Sequence, residues 1–266
     1  MAELRTWRAI PNGKEGDEVI LTVDFTVTGR PEAGFAELAG QIDTPHPLWE
    51  AVPPAVGDEK GMTGPEYVAR WTDELRDGGV RVAAVFGYCA SSVFALALAD
   101  EIAAWQQRPK VVLFDPTAAT GLTVLHYGFY RVVGALSAVL TPEEVEAAHQ
   151  AGLRAQQEQD DLGLLCQEFI RIYQEVGTTA FDRVGLDAER AEELVGWFRS
   201  YLTYLVAAGQ LTVSPAPASV EVIRSDELAQ LADSLKIAAR EVRFDIDHSG
   251  LLREPGVGRA VTELLS

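Results

Sequence analysis

The stretch Val80-Arg81-Val82-Ala83-Ala84-Val85-Phe86-Gly87-Tyr88-Cys89-Ala90-Ser91-Ser92 decides the fold. Residues 80–86 are apolar apart from Arg81, as expected of a strand buried on both faces of a sheet. Helical spacing resumes over residues 94–105. Gly87-Tyr88-Cys89-Ala90-Ser91 therefore lies where a strand turns into a helix, with small residues two positions either side of Cys89. That is the glycine–x–nucleophile–x–small pattern of a strand-to-helix elbow, with Cys where Ser is usual. The turn exposes the sulfur at the C-terminal edge of the sheet, beside a helix N-terminus whose partial positive charge favours thiolate. The Ala90 N–H is then one oxyanion donor. Alone, the motif is equally compatible with a small buried cysteine beside a helix.

Working outward, residues 6–10 and 19–27 read as strands around a Pro11-Asn12-Gly13 turn, and residues 46–52 as another. Residues 35–42 suit a short helix. A Gly/Pro-rich loop at 53–65 precedes Tyr67, Val68, Trp71 and Leu75, whose helical spacing ends at Gly78-Gly79. Residues 110–114 (KVVLF) form a second buried strand. The alternation predicts an open, mostly parallel α/β sheet. Between 117 and 216 the signal becomes helical. Thr141-Pro142-Glu143-Glu144 makes a capping box, and Leu165, Phe169, Ile172 and Tyr173, then Leu194, Trp197, Phe198, Tyr201 and Leu205, mark two further helices. A strand over 220–223, a helix over 227–240 and a strand reaching Ile246 complete the chain. Residues 1–266 thus read as one domain carrying a large helical insertion at 117–216.

Chain order supplies partners for Cys89. Asp115 directly follows the 110–114 strand and His248 follows the last strand, so both fall on the same sheet edge as the thiol. Nucleophile, acid and histidine in that order suit a hydrolase triad. Asp226, after the 220–223 strand, is the reserve acid. Asp245 and Asp247 read as solvated strand-end charges. His46, His126 and His149 read as loop or surface residues, Cys166 as packing within the insertion, and Ser91 and Ser92 as elbow and helix N-cap residues.

These features resemble an α/β-hydrolase thioesterase of the kind attached to, or working beside, nonribosomal peptide and polyketide synthases. The resemblance spans nearly the whole chain, from the 67–75 helix and the Gly87-Tyr88-Cys89-Ala90-Ser91 elbow to Asp115, a helical lid after it, and His248-Ser249-Gly250-Leu251-Leu252 before a final helix. The sequence departs from the family pattern in having Cys89 for Ser and Ser91 for Gly, and in a 24–29 segment that lacks a His/Gly-rich oxyanion sequence. The resemblance implies an acyl or peptidyl thioester, presented on the phosphopantetheine of a carrier protein or on CoA. It also implies an acyl-Cys intermediate resolved by cyclisation, transfer or hydrolysis. Phe25 and Thr26 are the expected second oxyanion site, Tyr88 an expected substrate-binding residue, and some lid aromatics an acyl-cavity lining. Two other readings stand beside it: a dienelactone-hydrolase-like enzyme, whose nucleophile also lies in Gly-Tyr-Cys, and a non-catalytic synthase partner.

Composition narrows the field. Across 266 residues, 22 Lys and Arg against 40 Asp and Glu give a net charge of −18. This disfavours nucleic-acid and anionic-membrane partners, which need a basic face. Two cysteines and four histidines without close spacing predict neither a disulfide framework nor a metal site. No cofactor motif is evident, since Gly256-x-Gly258 has no strand ahead of it. The N-terminus has no basic leader before an apolar run, and no apolar run approaches membrane-spanning length, so a cytoplasmic location is expected. Docking to an acidic carrier would need arginines gathered on one face.

Overall fold

A computed structural model describes residues 4–25, 32–212, 220–229, 235 and 240–266. Seven strands form one sheet: β1 (Trp7–Ile10), β2 (Glu18–Val23), β3 (Leu48–Ala51), β4 (Arg81–Tyr88), β5 (Lys110–Phe114), β6 (Val220–Ser225) and β7 (Arg240–Phe244). Their order is β1-β3-β2-β4-β5-β6-β7. Only β1 runs antiparallel, against β3, where Arg8 lies opposite Glu50 and the two side chains form an ion pair. The other pairs are parallel. The central strands β4 and β5 are almost wholly buried, which is why their sequences read as continuous apolar runs. β7, at the edge, alternates between exposed and half-buried residues.

Each sheet face has its own apolar layer. On one side Tyr67 and Trp71 of the helix Gly64–Asp77 pack against Phe94 of the helix Ser92–Ile102, with Trp71 and Phe94 edge to face at 5.5 Å. On the other, Phe35 of the helix Phe35–Ala39 meets Phe86 and Phe114, and Leu251, Leu252, Val257 and Val261 complete the layer. The last two come from the helix Pro255–Leu265.

The chain divides into two compact units. The sheet unit comprises Met1–Pro53, Gly64–Ala118 and Leu211–Ser266; the helical unit comprises Pro54–Thr63 and Ala119–Gln210. Its long helices are Pro142–Glu158, Leu162–Arg183 and Ala188–Gly209. Each starts on a side-chain cap, from Thr141, Asp161 and Asp187 respectively. The helical unit has its own core: Phe129 stacks on Phe169 at 4.7 Å, and Tyr173 packs on Phe198 at 4.8 Å. A methyl group on Gly152 would come within 2.4 Å of the Phe129 ring, so this glycine lets Pro142–Glu158 approach closely.

Two differences from the sequence reading stand out. The Gly/Pro-rich 54–63 segment goes with the helical unit, where buried Glu59 accepts hydrogen bonds from Ser200 Oγ and the Gly57 N–H, both at 2.6 Å. Of the helix expected over 227–240, the described part is Asp226–Ala229, and Arg240 belongs to β7. Residues 230–234 and 236–239 lie outside the described residues, as do 26–27 of the strand expected over 19–27.

Several of the described arginines are paired with carboxylates where they stand. Arg81 pairs with Glu18, Arg183 with Glu144, Arg171 with Glu168 and Glu175, and both Arg224 and Arg243 with Glu241. Among the described residues no helix is long and apolar enough to cross a membrane, and no group of three or more His, Cys, Asp or Glu could hold a metal ion.

Candidate functional site

β4 ends at Tyr88, and the chain turns through a short 3-10 segment, Cys89–Ser91, into the helix Ser92–Ile102. Cys89 has φ 51°, a left-handed backbone that L residues adopt only when the surroundings enforce it. Gly87 makes this turn possible through close approach: a Cβ there would lie 2.7 Å from both Ala95 Cβ and Ser92 Cα. Ser91 is buried and Ser92 donates to the Gly87 carbonyl at 3.3 Å, so the helix starts without the side-chain cap expected from these serines. Cys89 remains partly exposed at the C-terminal sheet edge.

One strand over, the same device recurs. Asp115, the first residue beyond β5, has φ 47° and is fully buried. Cys89 and Asp115 are the two non-glycine residues of positive φ among those described. Their turns are joined, because the Thr117 N–H reaches the Cys89 carbonyl at 3.4 Å and Thr117 Oγ1 donates to the Asp115 carbonyl at 3.0 Å.

The Asp115 carboxylate is held on both oxygens. Oδ1 accepts the Ser225 N–H at 2.8 Å, and Oδ2 accepts Ser225 Oγ at 2.7 Å and His248 Nδ1 at 2.8 Å. His248 opens the 3-10 segment His248–Arg253 beyond β7, and its own N–H donates to Glu227 Oε2 at 2.9 Å. Burial works against a charge on the imidazole. Hydrogen bonds to Asp115 and Cys89, and the electrostatic attraction of both, outweigh it and push His248 up to about 9 from its ordinary 6.5. With Nδ1 on the carboxylate, Nε2 is the nitrogen left for proton exchange.

The structure thus brings Cys89, His248 and Asp115 together from the ends of β4, β7 and β5. Asp226 opens the helix Asp226–Ala229 and is exposed, while the preceding Ser225 is the residue that bonds Asp115. Ala90 follows Cys89 directly in the 3-10 segment. Phe25 is buried two residues past β2, whose register against β4 ends at Val23 opposite Gly87. Thr26 lies outside the described residues. Tyr88, expected on the substrate side, is buried with its ring stacked on His248.

Sequence reasoning missed Ser225, Glu227 and the Tyr88 stack. Ser225 carried a weak signal, being a small hydroxyl at a strand end beside an acid already singled out. Of the other histidines, His126 is exposed and His46 bonds the Glu18 carbonyl through Nδ1. His149 is neither loop nor free surface: it lies in Pro142–Glu158 with its ring 4.4 Å from that of Tyr130.

No protein-family model matches the chain, and no curated protein matches it in sequence. Solved structures match it in shape. A Vlm2 thioesterase domain with genetically encoded 2,3-diaminopropionic acid, bound with a dodecadepsipeptide, shares 19% identity over 99% of this chain and 97% of its own, at a TM-score of 0.54. The NocB thioesterase domain from the nocardicin cluster gives 12% identity over 98% of each chain, TM-score 0.54. A four-domain nonribosomal peptide synthetase, AB3403, bound to AMP and glycine, gives 13% over 97% of this chain but 20% of that one, TM-score 0.59. At such identities shape is what is shared, and with the strand order and the β4 elbow it establishes that this chain has an α/β-hydrolase fold.

Proposed function

We propose that the protein is a cytoplasmic thioesterase or acyltransferase of natural-product biosynthesis, working on a peptidyl or polyketide thioester through an acyl-Cys89 intermediate. The observation that carries this reading is the Cys89–His248–Asp115 constellation at the C-terminal sheet edge, where such sheets bind ligands. Support also comes from the structural neighbours, two of which are thioesterase domains and one of which is bound with a dodecadepsipeptide.

In the proposed reaction His248 Nε2 takes the Cys89 proton, and Asp115 fixes the tautomer and stabilises the imidazolium. The Cys89 sulfur forms a bond to the thioester carbonyl carbon, and the carbonyl π electrons move onto oxygen. The Ala90 N–H faces that oxyanion, with a second donor from the 25–26 segment. Collapse breaks the carbon–sulfur bond to the carrier, whose thiolate receives the proton from His248. An incoming amine, hydroxyl or water then attacks acyl-Cys89 while His248 takes its proton, and release of the Cys89 thiolate completes the cycle. The acyl donor would be carried on phosphopantetheine, of an acyl or peptidyl carrier protein or of CoA.

A cysteine gives this cycle a particular character. Exchange of one thioester for another is nearly balanced in free energy, whereas an acyl-serine ester lies lower. Acyl-Cys89 therefore retains more driving force toward an amine or an intramolecular nucleophile. The test supplies a panel of acyl thioesters and small lactones and resolves the products. Turnover of thioesters with transferred or cyclised product, shifting toward hydrolysis in Cys89→Ser, is expected. Turnover of lactones alone, or an unchanged product ratio at an unchanged rate in Cys89→Ser, would contradict the proposal.

A further inference from the structure

The residue just before the nucleophile has a place of its own in the site. Tyr88 is 2% exposed, and its ring lies parallel to that of His248, with 4.7 Å between centroids and 3° between planes. Its O–H donates to the His248 backbone carbonyl at 2.9 Å, and the same oxygen lies 3.3 Å from Nδ1. One side chain thus touches the histidine at backbone and ring together. Rotation of the imidazole about its Cβ–Cγ bond would drive its edge into the tyrosine ring, so the stack fixes the plane in which Nδ1 meets Asp115. An aromatic face also attracts a cation within about 6 Å of its centroid, which favours imidazolium over imidazole at this spacing.

We propose that Tyr88 is a positioning residue that locks the His248 ring and favours its cationic form, so that Cys89 rests as a thiolate paired with imidazolium before any substrate arrives. The inference rests on the reading of Cys89 as the nucleophile. Among the described residues, the charged and titratable groups bonded to His248 are the Tyr88 phenol, Cys89 beyond β4, Asp115 beyond β5 and Glu227 beyond β6. Asp115 and Cys89 supply the negative charges, and Glu227 is engaged by the His248 backbone N–H. Tyr88 adds a contact on the ring face, which none of those hydrogen bonds occupies.

The pH dependence of Cys89 alkylation by iodoacetamide, followed by peptide mass, reads thiolate directly and needs no acyl substrate. Cys166 serves as internal reference, because its buried thiol is pushed up to about 12. Tyr88→Phe keeps the ring and loses the hydroxyl. Tyr88→Met removes the ring, and pentafluorophenylalanine at position 88 keeps the shape of Phe while removing the electron-rich face. The wild type and Tyr88→Phe are expected to have alkylation midpoints below that of an ordinary thiol. Midpoints about half a pH unit or more higher are expected for Tyr88→Met and the fluorinated variant. Equal midpoints for Phe and its fluorinated analogue would overturn the role given to Tyr88, even if Tyr88→Met failed to fold. A wild-type midpoint no lower than that of an ordinary thiol would overturn the resting ion pair, whereas absence of any acyl adduct on Cys89 would contradict the nucleophile assignment on which it rests.

Discussion

The two cysteines occupy opposite environments. Cys89 sits at a strained turn on the sheet edge, partly exposed and hydrogen-bonded to a buried histidine that is itself raised by the contact. Cys166 lies within the helix Leu162–Arg183 of the helical unit, buried, where loss of hydration and then the charge of Asp161 hold its thiol protonated up to about 12. On the proposed reading, the same functional group is poised in one unit and silenced in the other. Reactivity follows from backbone geometry and charged neighbours rather than from the presence of a thiol.

The most severe way to break this comparison is to remove each thiol in turn. Cys89→Ala is expected to lower kcat/KM by at least about 10³-fold, while Cys166→Ala should stay within about three-fold; steady-state kinetics on a shared thioester would show it. The same contrast can be drawn between the two acids. Asp115→Asn, which deprives the imidazole of its carboxylate partner, should lose about 10³–10⁴-fold in kcat. Asp226→Asn should remain within a few-fold of wild type, since that side chain is exposed and Ser225 is the residue turned toward Asp115. A matching loss in Asp226→Asn would move the acid to the end of β6.

Stability against pH separates the two units. His248 is raised above its unfolded value of 6.5 to about 9, so its contribution is fully present below pH 6.5 and is lost as pH rises through 9. Glu144 of the helical unit is lowered from 4.5 to about 2, chiefly by its bond to Arg183, so its contribution is present above pH 4.5 and fades as pH falls toward 2. Urea titrations between pH 6.5 and 9.5 should therefore show a pH dependence set by His248 together with its Cys89 partner, and that dependence should change in His248→Gln. Retention of the full slope in that variant would mean that other groups cause it.

Two glycines sharpen the contrast on a finer scale, and with opposite sign. Gly87→Ala forces a methyl group into Ala95 and the Ser92 backbone and should destabilise by about 1–3 kcal/mol. Gly134 lies in right-handed helical backbone with open space around it, so Gly134→Ala should stabilise by about 0.5–1 kcal/mol. Equal losses at both positions in urea unfolding would show that the elbow is not specially crowded.

Most of the sheet was legible in the sequence because its signals are local. The 110–114 run coincides with β5, and Tyr67, Val68, Trp71 and Leu75 are among the buried positions of their helix. Chain order alone brought Cys89, Asp115 and His248 to one edge, since each follows a strand and β4, β5, β6 and β7 run parallel. What was not legible depends on contacts distant in sequence. Ser225 reaches Asp115 across 110 residues, and the Tyr88 stack on His248 spans 160. The 54–63 loop gave no sign that Glu59 would be buried against Ser200. Asp226 stood as the reserve acid because it too follows a strand, and which residue there turns toward Asp115 is decided by contacts that the sequence does not show: Ser225 bonds it, and Asp226 is exposed.

The proposed chemistry is tested most directly by where an acyl group is held. Wild-type protein mixed with an acyl thioester, quenched in acid and mapped by peptide mass spectrometry, should carry the acyl group on the peptide containing Cys89. None should appear on the Cys166 peptide, and none anywhere in Cys89→Ala. Thioester consumption by wild type with no adduct on Cys89, or an undiminished rate in Cys89→Ala, would contradict the account.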